Sequence, residues 1–85
     1  MQKNFVYVLK SENYQESYVG HTDNLERRLN EHNSGISPHT SKFRPWKMIY
    51  TESFESEREA ILREKYLKTR SGRRFLKSRV FVQNN

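Results

Sequence analysis

The stretch Phe5-Val6-Tyr7-Val8-Leu9 is the longest unbroken apolar run in the chain, and it is rich in valine and aromatic residues. A run of this length and composition reads as a β-strand. Everything else must be arranged around it with little apolar material, because only 33% of the 85 residues are hydrophobic. A chain this short makes one domain, residues 1–85, with a small core and little stability to spare. It has no cysteine, so neither disulfides nor a thiolate zinc site can staple it. No apolar run approaches the roughly 20 residues that span a bilayer. The first residues also lack the apolar stretch of a signal peptide. A cytoplasmic protein with no membrane association is the expectation.

Polar, turn-like residues from Ser11 to Gln15 follow the first strand, and Ser17–Gly20 reads as a second, short strand pairing back as an antiparallel hairpin. Thr22 or Asp23 can cap a helix starting near Asn24, with Glu26 in the capping-box position after Asp23 and Gly35 as the stop. Residues 36–45, with Pro38 and Pro45, read as a loop, and Trp46–Thr51 as a third strand. Ser56 caps a second helix from Glu57 to about Thr69, broken by Ser71 and Gly72, and Arg73–Val80 reads as a short third helix. The order β-β-α-β-α-α predicts an α+β fold, a small, mainly antiparallel three-stranded sheet flanked by helices.

The net charge of +6 is unevenly spread. Met1–Glu57 carries seven bases and eight acids, and Arg58–Asn85 carries nine bases and two acids. After Glu64 there is no acid at all, so Lys65, Lys68, Arg70, Arg73, Arg74, Lys77 and Arg79 stand unopposed. A basic face of this kind fits a polyanion such as nucleic acid. It equally fits a solvated helix surface or attraction to anionic lipid.

Three polar placements point further. On the second helix, Ala60, Ile61 and Leu67 define a stripe whose middle position is Glu64. A carboxylate on an inward stripe must be paired with a base or bound to a cation such as Mg²⁺. On the first helix, Arg28 and His32 stand four apart and so project from one face, beside the inward stripe of Leu25 and Leu29, whereas Arg27 lies further round and is solvated. A guanidinium beside an imidazole suits charge stabilisation and proton handling at a phosphate, or else forms an ordinary amphipathic edge with an Arg28–Glu31 pair. In the hairpin, Tyr7 sits mid-strand, Tyr18 opens Tyr18-Val19-Gly20, and Gly20 leaves room for a close approach.

In this order, the residues resemble the GIY-YIG nuclease family. Phe5-Val6-Tyr7 and Tyr18-Val19-Gly20, ten residues apart, look like its two hairpin tripeptides. Gly20–Asn33 is similar to the helix bearing the family's arginine and histidine, Arg44–Tyr50 to the strand of the small single-domain members, and Glu59–Lys68 to the helix with the metal-binding glutamate. The nuclease domain of the bacterial excision-repair incision subunit is a similar case, which implies a link to DNA repair. Residue by residue, the resemblance implies that Tyr18 is the general base or its relay and that Tyr7 orients the attacking water. It implies that Arg28 stabilises charge on the scissile phosphate and that His32 assists proton transfer or holds the phosphate. Glu64 would bind one Mg²⁺ or Mn²⁺. A phenol with a pKa of about 10 is a poor base at neutral pH, so nearby cations are expected to assist it. Two departures stand out: Phe5 replaces the first glycine, and His21 occupies a position often held by lysine. Asn84 and Asn85 cannot be aligned with the asparagine that many relatives carry after the last helix.

The implied function is metal-dependent endonucleolytic cleavage, of DNA rather than RNA, directed by structure or only weakly by sequence. Lys65, Lys68, Arg70, Arg73, Arg74 and Lys77 would hold the backbone, and a monomer or weak homodimer with a possible protein partner for specificity is expected. The alternatives are a non-catalytic nucleic-acid-binding module, or a subunit of a larger DNA-processing complex that docks through surfaces such as Phe75-Leu76 and Phe81-Val82.

Overall fold

The computed structural model describes residues 3–81. Strand β1 (Asn4–Ser11) lies between β2 (Ser17–Thr22) and β3 (Trp46–Phe54), both antiparallel to it, in the order β2-β1-β3. The apolar run is therefore the central strand. It pairs Tyr7 with Gly20 and Leu9 with Tyr18 on one side, and Tyr7 with Thr51 on the other, with a register shift against β3 at Val8/Leu9. Because side chains alternate across a sheet, Tyr7, Leu9, Tyr18 and Gly20 share one face and Val6, Val8, Val19 and His21 share the other.

Each face has its own core. Tyr7, Leu9 and Trp46 pack with Leu25 and Leu29 of helix α1 (Leu25–Ser34) and with Phe43. Val6 and Val8 pack with Ala60 and Leu67 of helix α3 (Glu57–Leu67), Leu76 of helix α4 (Arg70–Leu76), and Val80 of the π-helical turn Lys77–Phe81 that follows it. The α+β class, the three antiparallel strands and the order of the main elements agree with the sequence reading.

Details differ for local reasons. Asn24, not Thr22 or Asp23, caps α1: its side chain accepts the amide of Arg27, while Thr22 Oγ1 accepts the amide of Asn24. Gly35 does stop this helix, with a positive φ of 87°. The expected loop contains a helical turn, α2 (Pro38–Ser41), started by Pro38 in the first-turn position where a missing N–H costs nothing. Strand β3 runs on to Phe54. Ser56 caps α3 as expected, through the amide of Glu59. The break between α3 and α4 falls at Lys68–Thr69 rather than Ser71–Gly72, because the Thr69 hydroxyl caps α4 by accepting the Gly72 amide. Gly72 is buried inside α4 for a packing reason: a Cβ there would sit 2.1 Å from the carbonyl oxygen of Tyr66 and 2.4 Å from Leu67 Cα. The tail from Val82 to Asn85, including Asn84, lies outside the described residues.

Candidate active site

The central strand delivers Tyr7 into the α1-side core, where it is 1% exposed. Its hydroxyl lies 2.9 Å from His32 Nε2 and accepts a 3.3 Å hydrogen bond from Arg28 Nε. The four-residue spacing on α1 thus points both side chains at one phenol, as the helical period requires. Tyr18, cross-strand and two residues from Gly20, brings its ring to 4.8 Å from the His32 imidazole and 6.2 Å from the Tyr7 ring. Gly20 makes the arrangement possible: a Cβ there would lie 2.6 Å from the Tyr7 hydroxyl and 2.9 Å from Tyr18 Cε2. The close approach expected at Gly20 is real, and its occupant is a side chain of the protein itself.

His32 is wholly buried, with its second ring nitrogen 2.8 Å from the hydroxyl of Thr40. Thr40, itself buried, is held from the strand side by Trp46, whose indole N–H donates to the Thr40 carbonyl. Asn33 ties α1 to the same strand end, donating to the Trp46 carbonyl at 3.1 Å and accepting its amide at 2.6 Å. None of Thr40, Asn33 and Trp46 was singled out from sequence. The only available signal was the proline that starts the turn carrying Thr40.

Burial, and secondly the charge of Arg28, depress the pKa of His32 and keep the ring neutral. Burial pushes the Tyr7 phenol up to about 12; the Arg28 hydrogen bond opposes this, and the charges of Tyr18 and Glu64 add to it. Tyr7 therefore stays protonated at neutral pH. Arg28 is stabilised as a cation first by Glu31, which accepts from its Nη1 at 2.9 Å, and it lies only 30% exposed. Arg27 is turned out to solvent and paired with Asp23, as its place on the wheel predicted.

Glu64 belongs to the other face. His21 Nδ1 lies 2.5 Å from its Oε1, and Lys68 Nζ donates to Oε2 at 2.7 Å. Its side chain is 18% exposed. Burial alone would raise its pKa, but the hydrogen bonds from Lys68 and His21 outweigh it and hold the carboxyl ionised below the usual range. The base pairing expected of an inward carboxylate is present, and the side chain remains partly exposed. Lys68 links the two groups, because its ammonium also lies 6.0 Å over the centroid of the Tyr18 ring. The sheet thus brings Tyr7, Tyr18, Arg28 and His32 into direct contact and sets Glu64 beside them across β2. A cleft of about 580 Å³ is lined by Arg28 together with His21, Asp23, Glu31 and Glu57, whereas Tyr7, Tyr18, His32 and Glu64 do not line it.

Among the described residues, no three His, Cys, Asp or Glu side chains converge as a metal cage. One ionised carboxylate is nevertheless a hard oxygen donor of the type Mg²⁺ and Mn²⁺ prefer, with water and substrate phosphate completing the shell. Glu64 is the residue that would hold such an ion, with its two oxygens now paired with His21 and Lys68.

Lys65, Lys68, Arg70, Arg73, Arg74 and Lys77 are all exposed. Lys68, Arg73 and Lys77 border a second groove that starts at Tyr18, whereas Lys65, Arg70 and Arg74 do not line it. No helix among the described residues is long and apolar enough to cross a membrane.

The sequence profile of the GIY-YIG catalytic domain matches residues 3–77. A UPF0213 protein of Clostridium perfringens is 44% identical over 66 residues, covering 76% of this chain and 70% of that one. A UPF0213 protein of Staphylococcus haemolyticus is 38% identical over 78 residues, covering 91% and 94%. The solution NMR structure of a UPF0213 protein from Bacillus halodurans superposes with a TM-score of 0.53 at 29% identity, covering 89% of this chain and 83% of that one. With the GIY-YIG catalytic-domain profile matched over most of its length, the chain belongs to the GIY-YIG family.

Proposed function

We propose that the protein is a metal-dependent endonuclease that hydrolyses phosphodiester bonds, with DNA as its substrate. The observation that carries this reading is the junction itself. The partly exposed Arg28, hydrogen-bonded to the buried Tyr7–His32 pair, meets Tyr18 on one face, and an ionised Glu64 flanks it on the other.

The chemistry divides among these residues. Arg28, always charged and aimed by Glu31 and Tyr7, offers its remaining N–H groups to a phosphate oxygen, where they stabilise the charge that builds in the transition state. Tyr7 keeps its proton and orients the attacking water as a hydrogen-bonding phenol rather than as a base. Tyr18, the less buried phenol of the pair and the one with the Lys68 ammonium over its ring, serves as the general base for the attacking water or as its relay. His32, buried and neutral, acts through Tyr7, fixing the direction of the phenol. Glu64 would hold the Mg²⁺ or Mn²⁺ ion, which supplies Lewis-acid polarisation of the phosphoryl oxygen when bound. The exposed bases after Glu64 hold the backbone on either side. Selection is assigned to substrate structure or to a partner protein.

The test is a gel assay on duplex, single-stranded, flapped and branched DNA with Mg²⁺, Mn²⁺ or EDTA. Metal-dependent cuts are expected, and they should vanish in Glu64→Ala while DNA binding persists. Binding without cuts on every substrate would replace this reading with a non-catalytic nucleic-acid-binding module or a subunit awaiting its partner.

A further inference from the structure

The groove that starts at Tyr18 is built differently from the polar cleft on the other side of Glu64. It has a volume of about 780 Å³ and runs between the β2 edge and the last two helical segments. Tyr18 and Phe81 contribute aromatic rings, Val19 and Leu76 contribute apolar wall, and Lys68, Arg73 and Lys77 contribute cations. Among the described residues neither Arg73 nor Lys77 has an acidic partner, and Lys68 is already joined to Glu64. Glu16 is the one acid on its lining.

This combination selects among nucleic-acid shapes. A duplex presents phosphates and groove edges, with its base faces stacked away inside, so an apolar wall beneath a basic rim gains nothing from it. An unpaired strand offers both surfaces at once: a backbone for the cations and free π-faces for the rings. The volume lies within the range that encloses a small organic ligand and suits one or two nucleotides. Resting on the nuclease reading above, we infer that this groove receives an unpaired stretch of strand next to the scissile phosphate. The preferred substrates would then be single strands, flaps or frayed ends, and continuous duplex would be disfavoured.

The test is equilibrium binding of a fluorescent oligothymidylate and of a blunt duplex, both in EDTA so that no chemistry enters. The wild type is compared with Phe81→Leu, which keeps apolar bulk but removes the ring, and with Lys77→Glu, whose side chain is exposed and whose change leaves the core intact. Melting curves confirm that each variant is folded. Single-strand affinity is expected to drop about tenfold in Phe81→Leu, as loss of one stacking partner implies. It should drop in Lys77→Glu as well, with duplex affinity unmoved by Phe81→Leu. Unchanged single-strand binding in both variants, or an equal loss for duplex in Phe81→Leu, would overturn the inference. Because the measurement excludes metal, failure of cleavage in the earlier assay would sink the nuclease reading without altering this result.

Discussion

Arg28 is held at several atoms, Nε by Tyr7 and Nη1 by Glu31, yet its side chain still reaches solvent. Arg28→Ala is therefore expected to lower turnover by at least about 100-fold, the usual cost of losing a transition-state donor. Its melting temperature should stay near that of the wild type, and an unchanged rate would remove Arg28 from the site. Thr40 tests the buried end of the same chain. Thr40→Val leaves His32 Nδ1 without its partner and should cost about 1–3 kcal/mol in denaturant unfolding, whereas Thr40→Ser should restore most of it. His32 also gives the fold a pH signature. Its folded pKa lies below the ordinary 6.5, so the unfolded chain takes up the proton first. Stability is then complete above about 6.5 and declines as pH falls through it toward the folded value. Melting curves between pH 5 and 8 should show that slope, and His32→Gln should flatten it. Glu64, held low by Lys68 and His21, and Glu52 of β3, held low by the Arg63 guanidinium that donates to it at 2.8 Å, contribute a separate loss below the usual carboxylate range. Sequence exposed Glu64 and Arg28 because each breaks a hydrophobic stripe. It concealed Thr40, because a hydroxyl in a proline-led turn looks the same whether it faces water or a buried imidazole.

At the scale of elements, the strands and the two long helices were legible because their apolar spacing is regular and their caps, Ser56 and Gly35, are of the usual types. The α3–α4 junction was not. Ser-Gly normally signals a break, but here the glycine lets one helix seat against the end of its neighbour. Gly72→Ala forces a methyl against backbone that cannot swing aside, and a loss of about 1–3 kcal/mol is expected from chemical denaturation. A wild-type melting curve would show that the two helices can slide apart. The cap of α1 was misread by one or two residues because Thr22, Asp23 and Asn24 are all competent caps in succession, and only the actual hydrogen bonds choose among them.

Across the whole molecule, charge is segregated along the chain, and folding converts that segregation into one exposed cationic end beside the site. Binding should weaken steeply with salt, the slope against log salt changing by about 0.7–0.9 per phosphate neutralised. Removing Arg73 or Lys77 should reduce that slope by about one. It is tempting to regard this end as a detachable handle. The packing says otherwise, because Leu67, Leu76 and Val80 also cover Val6 and Val8. Strand β1 is roofed by residues that are synthesised well after it. On the ribosome, the valine face of the hairpin must wait, bare and prone to stick, until residue 80 has been synthesised. Trimming the basic end to lower affinity would leave every growing chain in that waiting state permanently.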